Sequence, residues 1–197
     1  DSPQTVPGLA VRFKDRTVDS QQRQAILDLD ELPFPKHNPR DYLGISEVNI
    51  LSSRGCWANC HFCSIHAMLK HASIPRMRYR SIRNITDEIE LLYKDSGVRI
   101  FYFMDDNFLT RDSVKNQRRI DALGMEFQRR GLSNIAITVK CRPDCVKEDT
   151  FKRLMEIGLI RVFIGIESFS QMALKMLGRN VDVEENRRAL EILSSLD

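Results

Sequence analysis

Residues 48–63, VNILSSRGCWANCHFC, decide the fold, because a short apolar strand leads directly into a loop that holds three cysteines. Cys56, Cys60 and Cys63 have the spacing C-x3-C-x2-C. Thiolates are the usual protein ligands of iron–sulfur clusters. Three thiolates leave one corner of a cubane free for another ligand, and such an open position distinguishes a reactive metal centre from a closed one. Gly55 permits a tight entry from the strand into the loop.

A zinc site is the alternative that the spacing leaves open. It would use the three cysteines together with His61, His66 or His71. Zinc sites commonly place their ligands in two separated pairs, and no second pair follows at the usual distance. The spacing therefore favours a 4Fe–4S cluster over zinc.

Composition narrows the class of protein. The chain has 197 residues, of which 42% are hydrophobic and 29% charged, and a net charge of +3. These values predict a cytoplasmic globular domain with no membrane or nucleic-acid partner. The five cysteines are an odd number, and three lie within one short loop. This pattern favours metal-bound thiolates in a reducing compartment over a disulfide framework.

From residue 46 onward, strand and helix patterns alternate four times. Each apolar strand is followed by a helix whose apolar residues recur at helical spacing. Ser81 is a predicted N-cap, and Gly97, Gly131 and Gly158 are predicted to follow helix ends. The predicted strands are residues 48–51, 98–104, 135–139 and 162–166. The apolar faces of the first three predicted helices carry Ile82, Ile85, Ile89 and Leu92, then Val114, Ile120, Leu123 and Phe127, and then Phe151, Leu154 and Met155. Two further helices are predicted at 171–177 and 183–196. This order predicts an α/β fold with a parallel sheet, either open or closed as a barrel.

The first 45 residues have a different character. Residues 29–40, LDELPFPKHNPR, contain three prolines and alternating charge. Proline removes a backbone donor and interrupts regular elements, so this stretch is predicted to be an extended connector. We divide the chain into a connector or N-terminal extension at 1–45 and a core domain at 46–197.

Polar residues stand where three of the predicted strands end. Asp105, Asp106 and Asn107 follow the second strand, Arg142 follows the third, and Glu167 and Ser168 follow the fourth. Functional residues of βα proteins gather at the carboxyl ends of strands. These side chains are therefore predicted to share one site with the cysteine loop, although acids at strand ends also act as helix caps.

The motif C-x3-C-x-aromatic-C after a first strand, with Phe62 as the aromatic residue, resembles the signature of the radical S-adenosylmethionine superfamily. Further stretches that resemble its cobalamin-associated subgroup are LDELPFP, RGCWANCHFCS, DEIELLYKDSGVRIFYFMDDNF, KCRPD, FIGIES and VEENRRALEIL. The resemblance covers residues 29–193. It implies a partial (βα) barrel of the TIM type, of which this chain is expected to hold about four of six units.

The resemblance also implies cofactors and residue roles. Cys56, Cys60 and Cys63 would hold three irons of the cluster, and S-adenosylmethionine would bind the fourth. Asp105, Asp106 or Asn107 would accept from the methionyl amine, where many relatives carry Gly-Gly-Glu. Glu167 and Ser168 would face the ribose hydroxyls. Cobalamin would bind through a domain outside this chain.

Arg142 is a candidate for the methionyl carboxylate, because a guanidinium matches a carboxylate in shape. Cys141 and Cys145 are predicted to be buried free cysteines. Trp57 either shields the cluster or packs in the core. The basic stretch at 76–80 is predicted to be a solvated loop, and the histidines are predicted to be loop residues.

The resemblance predicts an enzyme that cleaves S-adenosylmethionine reductively to a 5′-deoxyadenosyl radical, which then abstracts hydrogen from a small-molecule or peptide substrate or serves radical methylation. It needs an external electron donor such as flavodoxin or ferredoxin. The alternative is a metal- or cluster-binding module without radical chemistry. A methylthio-transferring or tRNA-modifying relative is a third hypothesis, which would require a further cluster domain.

Overall fold

The structure, a computed structural model, describes residues 6–13, 15–19, 24–38, 40–42, 45–71 and 74–196. The strands are β1 (Ala10–Phe13), β2 (Arg16–Asp19), β3 (Arg40–Tyr42), β4 (Ile45–Ile50), β5 (Ser53–Gly55), β6 (Met77–Tyr79), β7 (Ile100–Phe103), β8 (Ala136–Cys141) and β9 (Leu159–Ile164). The helices are α1 (Ser64–His71), α2 (Ile82–Asp95), α3 (Ser113–Arg129), α4 (Glu148–Glu156), α5 (Gln171–Met176) and α6 (Val183–Ser194).

The main sheet has the order β3-β4-β7-β8-β9. Strands β4, β7, β8 and β9 run parallel, whereas β3 pairs antiparallel with β4 at one edge. The four parallel strands are the four that the sequence predicts. Their carboxyl ends lie side by side where the four parallel strands end. We call this end of the sheet the carboxyl edge.

One face of the sheet carries the hydrophobic core. Ile50, Phe101, Val139 and other strand residues that point toward the helices are almost fully buried. Ile89 of α2, Leu123 of α3 and further helix residues pack against them. This arrangement confirms the predicted α/β fold with alternating strands and helices. No helix among the described residues is long and apolar enough to cross a membrane.

Helix ends follow the predicted signals. The Ser81 side chain accepts from the backbone N–H of Asn84 and caps α2. Gly97, Gly131 and Gly158 all have positive φ beyond α2, α3 and α4. The prediction that Val114 and Met155 lie on the buried faces of their helices was wrong, because both side chains are exposed. The buried residues of α3 are Asn116, Ile120, Leu123 and Phe127, and those of α4 are Thr150, Phe151 and Leu154.

The proline-rich stretch contacts the core domain through charged groups. Glu88 of α2 is 1% exposed and accepts from Arg80, and its other oxygen lies 2.5 Å from Nε2 of His37. Asp30 accepts from the backbone N–H of Ser81 at 2.9 Å. The division of the chain at residue 45 stays a prediction.

The basic stretch at 76–80 is not a solvated loop, so that prediction was wrong. It contains β6, which pairs antiparallel with β5. The Arg80 side chain is 10% exposed and also donates to the Leu51 carbonyl oxygen at 2.7 Å. A buried carboxylate and a free strand-end carbonyl together explain why this arginine leaves solvent.

Candidate functional site

The cysteine loop begins where β5 ends, at Gly55, and ends where α1 starts, at Ser64. Gly55 closes β5 with a φ of +95°, and a Cβ on it would stand 2.1 Å from the carbonyl oxygen of Arg76. No other residue fits there, because the conformation and the space both exclude a side chain. Its backbone N–H donates to Oδ2 of Asp106 at 3.0 Å. The loop therefore starts from a fixed point beside β7.

The three cysteines lie in one loop but differ in exposure. Cys60 is buried, whereas Cys56 and Cys63 are half-buried. The backbone N–H of Cys63 donates to the carbonyl oxygen of Cys60 at 3.2 Å. Burial raises the pKa of the Cys56 thiol, although a hydrogen bond from the backbone of Ala58 and the charge of Arg142 oppose this. Binding of a metal must therefore displace the thiol proton.

Two buried arginines donate to the sulfur of Cys60. Nη1 of Arg142 lies 3.2 Å and Nη1 of Arg179 lies 3.4 Å from Sγ. Charge-assisted hydrogen bonds of this kind stabilise a thiolate and any anionic group attached to it. Three thiolates with two guanidinium donors fit a 4Fe–4S cluster, whose sulfur ligands carry negative charge. These residues would hold the cluster.

The alternative of a zinc site in the cysteine loop has less support from the structure. No group of three or more His, Cys, Asp or Glu side chains in the described part of the chain is arranged to hold one metal ion. Nδ1 of His61 instead lies 3.1 Å from the carbonyl oxygen of Met176. A cubane spreads its thiolates over separate irons, so this finding concerns single-ion sites.

All three nitrogens of the Arg142 guanidinium donate hydrogen bonds to groups of the protein. Nε donates to Oδ1 of Asp144 at 3.0 Å, and Nη2 donates to Oδ2 at 3.2 Å. Burial disfavours its charge, but the hydrogen bonds to Asp144 together with the charges of Asp144, Cys60 and Cys145 raise the pKa of Arg142. Nη2 also donates to the carbonyl oxygen of Arg179 at 2.5 Å. The guanidinium therefore lies beside Cys60 and is occupied, which argues against the predicted contact with a methionyl carboxylate.

Asp105 lies inside the protein, contrary to its predicted place in the cofactor site. Its side chain is 0% exposed and accepts from the hydroxyls of Ser52 and Ser53 and from the backbone N–H of Ser52. Arg119 also donates to the Ser52 hydroxyl. Burial lowers the pKa of Arg119, and the charge of Asp105 partly offsets this. The network fixes the strand end that precedes the loop, so Asp105 has a positioning role.

Asp106 is the exposed member of the predicted pair. It uses Oδ2 for Gly55, which leaves Oδ1 available to a ligand. Asn107 is 1% exposed, and its Oδ1 has no hydrogen-bond partner among the described residues, while Nδ2 lies 4.0 Å from Sγ of Cys145. Among the three residues, the geometry favours Asp106 as the acceptor for an ammonium.

Glu167 stands at the end of β9 with a φ of +61°, which is uncommon for a residue other than glycine. Its Oε1 lies 3.7 Å from Nη1 of Arg179. The adjacent Ser168 hydroxyl accepts from the backbone N–H of Ser170 at 3.0 Å. Strained backbone conformations of this kind gather at functional sites. Glu167 therefore remains the stronger candidate of the two for contact with a ligand.

Two aromatic residues of the loop point to different surroundings. Phe62 is 54% exposed. Trp57 is half-buried, donates from Nε1 to the Leu109 carbonyl oxygen at 3.1 Å and lies with its ring 5.0 Å from the Arg142 guanidinium. Trp57 thus both packs on the core and covers the arginine beside Cys60.

Cys141 and Cys145 are buried, as predicted. Burial raises the pKa of both thiols, that of Cys145 to about 12. Sγ of Cys145 lies 3.7 Å from the Leu109 carbonyl oxygen, among core residues.

Arg179 is the functional residue that sequence reasoning missed. It is 4% exposed and bonds to Cys60, 119 residues earlier in the chain, and to the carbonyl oxygen of Gly165. Its neighbours Gly178 and Asn180 both have positive φ. A turn of glycine and asparagine around an arginine was the available signal, but it gives no indication of the partner.

Comparison with known proteins agrees with this geometry. Residues 50–197 match the family described as the Radical SAM superfamily. The chain is 28% identical over 189 residues to "Uncharacterized methyltransferase PH0819" of Pyrococcus horikoshii, covering 93% of this chain and 39% of that protein. It is 26% identical over 201 residues to the anaerobic magnesium-protoporphyrin IX monomethyl ester cyclase of Cereibacter sphaeroides, covering 98% and 31%.

The fold has a solved counterpart. The cobalamin-dependent S-adenosylmethionine radical enzyme OxsB, in a structure with aqua-cobalamin and S-adenosylmethionine bound, superposes with a TM-score of 0.75 at 21% identity and covers 98% of this chain and 28% of its own. The chain thus spans about a third of the length of the curated relatives it matches. The cysteine loop, the parallel sheet and the family match together lead to one conclusion: this chain belongs to the radical S-adenosylmethionine superfamily.

Proposed function

We propose that the chain is the catalytic core of a radical S-adenosylmethionine enzyme. When bound, a 4Fe–4S cluster with S-adenosylmethionine supplies an electron that breaks a carbon–sulfur bond, giving methionine and a 5′-deoxyadenosyl radical for hydrogen abstraction or radical methylation. One observation carries the proposal: the buried Cys60 sulfur receives two guanidinium donors within a three-cysteine loop.

The chain's own groups bind and orient the cofactor. Cys56, Cys60 and Cys63 hold the cluster, and Arg142 and Arg179 balance its charge. Oδ1 of Asp106 accepts from the methionyl amine. Glu167, at the far end of the same carboxyl edge, accepts from the ribose hydroxyls. Asp106 and Glu167 follow β7 and β9, so β8 with its Arg142 lies between them.

The partners of the complete protein are also proposals. The electron comes from an external reductant of the flavodoxin or ferredoxin kind, as radical S-adenosylmethionine enzymes require. The names of the relatives support methyl transfer or ring formation as the overall reaction. Cobalamin binding by the complete protein is supported by the likeness to OxsB along 98% of this chain.

The test is anaerobic incubation of the reconstituted full-length protein with dithionite and S-adenosylmethionine, followed by chromatography for 5′-deoxyadenosine. We expect product from the wild type and from Lys152→Gln, an exposed surface control, and none from Cys56→Ala. A fully reconstituted protein that yields no 5′-deoxyadenosine even with its natural reductant would establish the binding-module alternative.

The cofactor contacts are tested by affinity. Asp106→Asn and Glu167→Gln each keep the shape of the side chain and remove its charge. Each should weaken S-adenosylmethionine binding by about 1.5–3 kcal/mol, the range for a hydrogen bond to a charged group. Calorimetry on the reconstituted protein measures this, and unchanged affinity in either variant removes that residue from the site.

A further inference from the structure

The face of the sheet opposite the helices, which we call the open face, is polar. In the register of the parallel strands, Asn49, Tyr102, Thr138 and Arg161 form one row across β4, β7, β8 and β9. Lys140 and Phe163 pair in the next row toward the carboxyl edge. On each of these strands, the residues that alternate with the open-face residues point into the core.

This composition departs from that of a packed interior. Parallel strands covered on both faces carry nearly continuous apolar residues, and a filled barrel is lined by branched apolar side chains. Strand β8 instead alternates, with Ile137, Val139 and Cys141 buried in the core and Thr138 and Lys140 on the open face. Such a surface is suited to a polar ligand rather than to packing.

Four side chains of the open face form a site with donors and positive charge. Nη1 of Arg161 donates to the Tyr102 hydroxyl at 2.7 Å, so the pair joins strands on either side of Thr138. Thr138 is 4% exposed, yet its hydroxyl has no hydrogen-bond partner among the described residues. Within the same part of the chain, the Lys140 ammonium makes no hydrogen bond or ion pair.

Two cations lie on the open face of β8 and β9, where the open-face positions carry no carboxylate. The carboxylate of this face is Glu47 of β4, one row toward the amino ends of the strands and two strands away from β8. A buried hydroxyl without a partner costs free energy unless a ligand satisfies it. A guanidinium, an ammonium and two hydroxyls together form the donor set for an oxyanion.

We propose that Tyr102, Thr138, Lys140 and Arg161 bind an oxyanion of the substrate, either a carboxylate or a phosphate group. The inference rests on the proposed function for its meaning, because it places this group below the carboxyl edge where Asp106 and Glu167 stand. The substrate would be anchored by its charged end, with its reacting part directed toward the cysteine loop. Phe163 offers an exposed ring beside Lys140 for an apolar part of the same molecule.

The experiment measures oxyanion binding by calorimetry on the reconstituted full-length protein, with inorganic phosphate and citrate as probes against chloride at equal ionic strength. We expect at least one probe to bind, and the stronger one identifies the class of oxyanion. The double variant K140Q/R161Q should bind at least tenfold more weakly. The control R118Q/K152Q, which removes two exposed charges from the helical side, should bind within twofold of the wild type.

Thr138→Val provides the finer test, because it keeps the shape and removes only the hydroxyl. It should weaken oxyanion binding threefold to tenfold without lowering the melting temperature, since the hydroxyl has no partner to lose. The proposal is overturned if neither probe binds, if K140Q/R161Q binds like the wild type, or if the control loses as much. A protein that binds phosphate or citrate but never forms 5′-deoxyadenosine contradicts the proposed function alone.

Discussion

The five cysteines occupy two regions with opposite environments. Cys56, Cys60 and Cys63 lie in a loop at the carboxyl edge, where two arginines donate to a sulfur. Cys141 and Cys145 lie at the end of β8 among apolar residues, and burial raises the pKa of both thiols. A cysteine therefore serves as a ligand where its spacing in the sequence and the charge of its surroundings both favour a thiolate.

The contrast between the two cysteine groups is tested most strongly by replacing each group with alanine and measuring bound iron. We expect the triple variant C56A/C60A/C63A to lose nearly all iron after anaerobic reconstitution, because no thiolate remains to hold the cluster. The matched variant C141A/C145A should keep its iron and its visible absorption. Retention of iron by the triple variant, or loss of half of it by the double variant, would contradict the assignment.

Much of this contrast was predictable from the sequence, because it depends on local patterns. The four parallel strands, the Ser81 cap and the glycines after α2, α3 and α4 follow from periodicity and capping. The antiparallel pair of β5 and β6 was missed, since each of its strands has three residues, too few for a recognisable alternation.

The rest depends on contacts between distant residues. Sequence alone does not tell which of two adjacent acids turns inward, and the structure shows that Asp105 does so because Ser52 and Ser53 lie across from it. Arg179 reaches Cys60 only after β9 and α5 bring the two together. Such partners are set by the fold, and local propensity carries no record of them.

The backbone of the cysteine loop allows a second test, because its first residue is a glycine in a crowded position. Gly55→Ala places a methyl group 2.1 Å from the Arg76 carbonyl oxygen, whereas Gly97→Ala meets nothing within 4 Å, although both have positive φ. We expect Gly97→Ala to lose about 1–2 kcal/mol of unfolding free energy. Gly55→Ala should lose about 1–3 kcal/mol more through overpacking and should also bind less iron. Equal losses in denaturant titrations would show that the loop tolerates displacement.

The charge around Cys60 is tested by the reduction potential of the cluster. Arg179→Gln removes a positive charge that favours the more negative reduced state, so the potential should fall by on the order of tens of millivolts. Arg118→Gln, an exposed change on α3, should leave it unaltered. Spectroscopic redox titration measures both, and an unchanged potential in Arg179→Gln would mean that the guanidinium does not act on the cluster.

The last test concerns the buried cysteine pair and the pH dependence of stability. In the unfolded chain a cysteine has its ordinary pKa of 9.0, whereas in the folded protein that of Cys145 is about 12. Between these values the unfolded chain binds fewer protons than the folded one, so unfolding free energy must fall as pH rises above about 9. One such thiol lowers the unfolding free energy by about 1.4 kcal/mol per pH unit in this range. Other groups that titrate at the same pH obscure this slope in the wild type alone. The difference in unfolding free energy between wild type and C141A/C145A isolates this slope, because the contributions of the other groups cancel.

Denaturant titrations of the cluster-free protein from pH 8 to pH 10.5 should therefore show a steeper decline for the wild type. Parallel curves would mean that both thiols ionise as readily in the folded protein as in the unfolded chain, and the contrast between the two cysteine regions would then rest on the arginines at Cys60 alone.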